Sequence, residues 1–195
     1  TWAGVVVPLE SLGDRLGRAW GVVGHLMGVC NSDELRAAYE KVQPEVVRFA
    51  LDQGQSRPVY SALKALRSGE GWSDLEEAQH RIVDSLLRDA EHSGVGLAGP
   101  ERERFNAVQE ELARLTTDFN NHVLDATRAW SLVLTDQTEM EGTPESLRAM
   151  CAETAREKGY PQATPEAGPW VLGLDAPCLV PFLEHAERRD LRERL

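Results

Sequence analysis

Five histidines are the side chains of this 195-residue chain best suited to bind a metal ion or transfer a proton near neutral pH. A zinc hydrolase site on a helix of the HExxH type requires two histidines four residues apart, with a glutamate after the first. No two of the five have that spacing, so the sequence contains no such motif. The five are His25, His80, His92, His122 and His185.

Smaller groups of potential ligands are also incomplete. Asp118 and His122 are four residues apart and share one helix face, but zinc requires at least three protein ligands. Glu184 and His185 are neighbours, so we expect them to point to different sides of a helix. His25 lies beside an apolar stripe and is interpreted as a hydrogen-bonded core or interface histidine. We therefore predict no catalytic, cofactor-binding or metal-binding residue in this chain.

The glycine-rich loop SGVGLAGP superficially resembles a phosphate-binding loop. However, a helix rather than a strand precedes it, and no Gly-Lys-Ser/Thr sequence follows Gly94, Gly96 and Gly99. We interpret it as a tight turn between helices. No GxSxG motif occurs, and no cysteine has a recognisable activating histidine.

The net charge of −11 argues against a nucleic-acid partner, because a phosphate-binding surface needs clustered basic residues. Only Arg188, Arg189 and Arg192 approach a cluster. The longest apolar runs, such as Val5–Val7, are far too short for a membrane span, and no signal peptide is visible. We expect neither a nucleic-acid nor a membrane partner.

The three cysteines, Cys30, Cys151 and Cys178, are odd in number and widely separated. This pattern favours a reducing compartment without a disulfide framework. We interpret all three as small buried hydrophobic residues.

The segment from Pro100 to Trp130 is the longest helical signal. We expect a central helix of roughly 45 Å, at 1.5 Å per residue, with the shorter segments packed along its apolar stripe. The stripe comprises Phe105, Val108, Leu112, Leu115, Phe119, Val123 and Ala126.

The segments before this helix are predicted to be an extended entry followed by shorter helices. Thr1–Pro8 is expected to be extended, and glycines 13, 17 and 21 predict a smooth helix face against which another backbone packs. Pro44 is expected to kink or end the second helix, which starts at Ser32. The third helix spans Val59–Arg67, and a capping box at residues 73–76 starts the fourth.

Two short strands, residues 130–135 and 170–174, flank a helix that begins at residues 143–145 and ends near Lys158. A last helix is predicted from Pro181 to Leu195. Because no stop signal ends this helix, we expect that more chain follows. The missing initial Met likewise suggests an upstream segment. The predicted fold class is all-α. It is a multi-helix bundle around one long central helix, with a small two-stranded β-ribbon in the C-terminal third. We treat residues 1–195 as a single helical domain.

Five strings, in order, resemble the thimet oligopeptidase and oligopeptidase A family, which includes plant organellar oligopeptidases. The most specific is NNHVLDATRAW at residues 120–130, which is similar to the LDAT-containing helix end of that family. The sequence departs from the family at His122, where Asn is usual, and at Cys178-Leu179, where Ser-Tyr is usual. The other strings are HLMGVCNSDELRAAYEKVQPEV (25–46), RIVDSLLRDAEHSGVGLAG (81–99), SLVLTD (131–136) and GPWVLGLDAPCLVPFLEHAERRDLRERL (168–195).

The resemblance implies the N-terminal helical region of a zinc metallopeptidase that cuts short peptides inside a deep channel. In that family this region forms channel wall and lid, and the zinc ligands and general-base glutamate lie downstream. None has a counterpart here, so the chain by itself is expected to be inactive and to hold no cofactor. The implied partners are the catalytic zinc domain of the same chain, if the chain is longer, or short peptides.

Two hypotheses remain open: a fragment of a larger peptidase, or a stand-alone noncatalytic relative that binds peptides or a protein. The missing helix stop after Leu195 favours the first, and the departures at His122 and Cys178 favour the second. Exposed apolar faces would also promote self-association. The expected location is a reducing soluble compartment: cytoplasm, chloroplast stroma or mitochondrial matrix.

Overall fold

The computed structural model describes residues 1–195 and contains eight α-helices and one small sheet, which confirms the predicted fold class. The helices are α1 (Trp2–Val29), α2 (Asp33–Gly54), α3 (Arg57–Ser68), α4 (Glu77–His92), α5 (Gly99–Ala129), α6 (Glu145–Glu157), α7 (Ala176–His185) and α8 (Arg189–Arg194). The strands are β1 (Leu132–Leu134) and β2 (Trp170–Leu172).

The chain divides into two compact units, Thr1–Thr117 and Asp118–Leu195. We call them the N-terminal unit and the C-terminal unit. Helix α5 begins in the first and ends in the second. The single domain over residues 1–195 stays a prediction.

The first helix starts at Trp2, seven residues earlier than expected, so the prediction of an extended entry is wrong. The Thr1 hydroxyl accepts a hydrogen bond from the Gly4 N–H and caps α1, which continues through Pro8. Proline removes one helical hydrogen bond. Val6 is fully buried in the core of the N-terminal unit, and this packing offsets the loss.

Two other expected helix starts and stops also differ from the sequence prediction. Helix α2 begins at the predicted Ser32 cap but does not end at Pro44. Helix α4 takes its capping box from Glu76 and Gln79, because the Ser73 hydroxyl instead donates to the Glu70 carbonyl in the preceding turn. The turn after α4 is as predicted, with Gly94 at φ +82°.

The core of the N-terminal unit is small. Helices α1, α3 and α4 meet around it, and partly buried residues such as Trp72 and Leu86 pack against it. Its five buried members are Val6, Leu63, Leu66, Val83 and Leu87.

The core of the C-terminal unit is larger and forms around the predicted ribbon. Strands β1 and β2 pair antiparallel, with Leu132 opposite Leu172 and Leu134 opposite Trp170. Trp170 is fully buried, and its indole N–H donates to the Pro165 carbonyl 3.1 Å away. Phe182 on α7 is also fully buried in this core. The sheet is thus a nucleus on which α6 and α7 pack.

The predicted last helix, residues 181–195, is wrong in its bounds. Helix α7 starts earlier and ends at His185, and α8 follows separately. The Glu187 N–H donates to the Glu141 carbonyl 3.0 Å away, which takes the backbone out of the helical path between them. This contact joins residues 46 positions apart, so helical periodicity alone could not reveal the break.

Candidate functional site

Helix α5 packs on the rest of the N-terminal unit through polar side chains. Gln55 is only 2% exposed, and its amide N–H groups donate to the Ser93 carbonyl and to Asn106 Oδ1, at 2.9 and 2.7 Å. Arg102 Nε donates to Gln55 Oε1 at 2.6 Å. Both halves of the buried amide are therefore paired, as burial of a polar group requires.

A second polar contact lies further along the same side of α5. Gln43 on α2 donates to Thr117 Oγ1 at 2.7 Å and to the Ala113 carbonyl at 3.2 Å. Thr117 is 8% exposed, and its hydroxyl also donates to the Ala113 carbonyl. The side of α5 that faces α2 is therefore held by hydrogen bonds.

The apolar side of α5 is open. We call its exposed large residues the α5 stripe: Val108, Leu112, Leu115, Phe119 and Val123. Leu112 is 52% exposed and Phe119 66%, so the shorter segments do not pack along the predicted stripe. A surface helix normally presents its polar side to water. Helix α5 exposes its apolar stripe as well as charged residues such as Glu110 and Glu111, and an exposed apolar stripe is typical of a surface that another polypeptide covers.

Other helices of the N-terminal unit also expose large apolar residues. On α2, Val42 and Phe49 are exposed. On α1 the exposed residues are Val7, Leu12, Val22, Leu26 and Val29. Single exposed hydrophobic residues are ordinary, but repeated exposure on three helices of one unit is not.

The glycine face of α1 has no backbone against it. A Cβ atom built at Gly13, Gly17 or Gly21 would meet no atom within 4 Å. The prediction that another backbone packs closely there is wrong within this chain.

A cavity of about 460 Å³ lies between α1, α3 and α4 in the N-terminal unit. Leu9, Tyr60 and Leu86 contribute apolar walls, and Asp14 and Asp89 contribute carboxylates. The Tyr60 hydroxyl donates to Glu91 Oε1 at 2.6 Å, and this hydrogen bond raises the pKa of Tyr60. The cavity could hold an apolar side chain with a positive charge beside it.

The histidines do not come together. His25 is exposed rather than in a core or interface of this chain, and His122 is exposed on α5 while Asp118 is half-buried. His185 Nε2 and Glu184 Oε2 lie 3.9 Å apart at the exposed end of α7, closer than the prediction of opposite sides implied.

No group of three or more His, Cys, Asp or Glu side chains in the structure could hold a metal ion. The residues of this chain therefore do not fit the zinc that the resemblance implies for the family. His80 instead has a structural contact: Nε2 lies 2.7 Å from the Trp72 carbonyl, and its ring stacks on that indole.

Two of the three cysteines are buried as predicted, and Cys30 is exposed, contrary to prediction. Cys151 on α6 and Cys178 on α7 are in contact, with their sulfur atoms 3.7 Å apart. A hydrogen bond from the Cys151 thiol lowers the pKa of Cys178, as does the Gly173 N–H, although burial opposes this. The same contact and burial raise the pKa of Cys151. Nothing in the sequence pattern indicated this pair.

None of the helices combines the length and the apolar composition that crossing a bilayer requires.

Comparison with known proteins gives a consistent result over the whole chain. The model of the N-terminal domain of neurolysin and thimet oligopeptidase matches residues 1–102. All of the chain aligns with organellar oligopeptidase A, chloroplastic/mitochondrial, of Arabidopsis thaliana at 45% identity, and covers 25% of that protein. It also aligns over its full length with the probable cytosolic oligopeptidase A of Arabidopsis thaliana (44% identity) and with oligopeptidase A of Escherichia coli strain K12 (36%), covering 28% of each. The chain spans about a quarter of the length of these relatives.

Proposed function

The chain belongs to the neurolysin and thimet oligopeptidase N-terminal domain family, and from this premise we propose that it is the noncatalytic, N-terminal helical part of an oligopeptidase-like zinc metallopeptidase. In this role it forms wall for a channel in which short peptides are degraded. Residues 1–195 act as one domain in that wall.

The exposed α5 stripe is the observation that carries this proposal. The apolar residues of this stripe are exposed. Gln55, which hydrogen-bonds to α5, and Thr117, which lies on α5 and hydrogen-bonds to α2, are buried. Leaving five large apolar side chains in water is unfavourable by about 25 cal/mol for each Å² of apolar surface. A larger polypeptide that covers the stripe removes this cost. The catalytic domain of the same chain is the partner that we propose for it.

Peptide-bond hydrolysis would then depend on residues outside this sequence. The described side chains offer no metal-binding group, and the sequence has no HExxH motif. The contribution of the 195 residues is exclusion: a walled channel admits flexible peptides and keeps folded proteins away from the reacting centre. We propose a reducing soluble compartment, either the cytosol or a chloroplast or mitochondrion, in line with the names of the Arabidopsis relatives.

The complete reading frame provides the first test. We expect an HExxH motif downstream of residue 195; a reading frame that ends near Leu195 would contradict the proposal.

The second test uses the purified 195-residue chain, a quenched fluorescent peptide and added zinc. We expect no hydrolysis that a chelator abolishes, because no described group of side chains could hold the metal. Chelator-sensitive turnover by the pure chain would refute the noncatalytic role.

A stand-alone peptide- or protein-binding module is the second candidate function. The cavity between α1, α3 and α4 favours it, since apolar walls with a few carboxylates suit a side chain of a peptide. Calorimetry with a varied peptide set should then show binding at micromolar or better affinity. If calorimetry shows no heat of peptide binding while light scattering shows that the chain associates with itself, the exposed α5 stripe rather than the cavity is the binding surface.

A further inference from the structure

The C-terminal unit contains a pair of thiols that the proposed wall function does not use. Cys151 and Cys178 come from different helices, are 1% and 6% exposed, and have sulfur atoms in contact at 3.7 Å. Two cysteines in contact differ chemically from an isolated buried cysteine, because once one of them is oxidised to sulfenic acid, the thiol of the other can react with it to form a disulfide.

A cavity of about 370 Å³ reaches both thiols. Trp130, Met150 and Pro177 contribute apolar walls, and Lys158 and Asp175 contribute charge. Both cysteines lie in the wall of this cavity, so a small reagent that enters it comes next to them, although the two residues are only 1% and 6% exposed. Hydrogen peroxide is little larger than water, whose volume in the liquid is about 30 Å³.

The local structure supports a nucleophilic thiolate at Cys178. This residue lies in the first turn of α7, where the positive end of the helix dipole favours an anion. The Gly173 N–H donates to its sulfur from 3.4 Å, and the Cys151 sulfur lies in hydrogen-bonding contact with it at 3.7 Å. Cys151 is buried near the middle of α6, so no helix N-terminus favours its thiolate.

We propose that Cys151 and Cys178 form a peroxide-sensitive dithiol, with Cys178 as the reacting cysteine and Cys151 as the resolving cysteine. The Cys178 thiolate attacks one oxygen of hydrogen peroxide, and the O–O bond breaks to give a Cys178 sulfenic acid and hydroxide. Cys151 sulfur then displaces the hydroxyl group from Cys178 and forms the S–S bond. In total, two thiols and one peroxide give one disulfide and two waters.

The bridge requires only a small movement. A disulfide has its sulfur atoms about 2.05 Å apart, so the two atoms must approach by about 1.7 Å from the observed contact. The resulting bond would join α6 to α7 and close the loop that contains β2. Because a bridge limits the unfolded chain, the oxidised unit should unfold at a higher temperature than the reduced one.

The test begins with the unsubstituted chain. The chain is treated with hydrogen peroxide, its remaining thiols are alkylated in denaturant, and the products are mapped by mass spectrometry. We expect a monomer that has lost two hydrogen atoms, a linked peptide pair containing Cys151 and Cys178, and recovery of both thiols with dithiothreitol. Cys30→Ser should retain the bridge, while Cys151→Ser should stop the reaction at sulfenic acid on Cys178.

Several results would overturn the proposal. One is full alkylation of both buried cysteines after peroxide has oxidised the exposed Cys30. Another is a bridge that involves Cys30. A parallel reaction uses glutathione disulfide as a larger oxidant. A glutathione adduct on Cys178 would contradict the selectivity for small peroxides. Since the mapping uses the unsubstituted chain, it decides the question even if a serine variant does not fold.

Discussion

The two units of this chain bury their apolar residues to different extents. In the C-terminal unit, large side chains such as Trp170 and Phe182 are fully buried around a two-stranded ribbon. In the N-terminal unit, the buried core cluster has only five residues, while Leu112 and Leu115 on α5 are about half exposed. The C-terminal unit thus closes a larger core of its own, although its part of α5 still exposes Phe119 and Val123, whereas the N-terminal unit leaves large apolar residues exposed on α1, α2 and α5. An open apolar surface of this kind is what the proposed wall role requires.

Matched leucine substitutions give the largest expected contrast. Leu172 in β2 is fully buried, so Leu172→Ala should lower the free energy of unfolding by about 2–5 kcal/mol through lost burial and a cavity. Leu112→Ala removes the same atoms from an exposed site and should change the free energy of unfolding by no more than about 0.5 kcal/mol. Urea unfolding monitored by circular dichroism provides both values.

The same pair of variants can also break the comparison. Equal losses of stability for Leu172→Ala and Leu112→Ala would mean that the stripe is already packed in the isolated chain. Light scattering distinguishes the cause, because packing by self-association would disappear on dilution.

Glycine substitutions should give a smaller contrast in the same direction. Gly142 has φ +80°, and a Cβ atom there would lie 2.3 Å from the His185 carbonyl oxygen, so Gly142→Ala should cost about 1–3 kcal/mol. Gly17 lies inside α1 with open space around it, so Gly17→Ala should stabilise the chain by about 0.5–1 kcal/mol. Thermal unfolding of the two variants should therefore shift the midpoint in opposite directions. A destabilising Gly17→Ala would indicate that something does pack on this face of α1.

The sequence was sufficient to predict an element where its local pattern agrees with the burial of its residues in the structure. The bounds of α5 came within one residue of prediction, and both strands pair as expected because their apolar residues form the core of one unit. The apolar stripe was also identified correctly. Periodicity reports which face a helix will bury, but it does not report whether the partner lies within the same sequence.

The remaining differences depend on long-range contacts. Pro8 sits inside a helix because Val6 is buried against other helices, and α7 ends early because Glu187 bonds to Glu141. Cys151 and Cys178 are 27 positions apart and meet only when α6 and α7 pack on the ribbon. No local pattern encodes such pairs, whereas the absence of an HExxH motif could be read directly from the sequence.

The most direct test of the exposed α5 stripe is the rate of thiol labelling on the two sides of α5. In a Cys30→Ser background, Leu112→Cys and Thr117→Cys are each reacted with a maleimide in the folded 195-residue chain. The account predicts fast labelling of Leu112→Cys, on a side chain 52% exposed, and strong protection of Thr117→Cys, at 8%. Protection of Leu112→Cys together with rapid labelling of Thr117→Cys would show that α5 buries its apolar side, and would contradict the account.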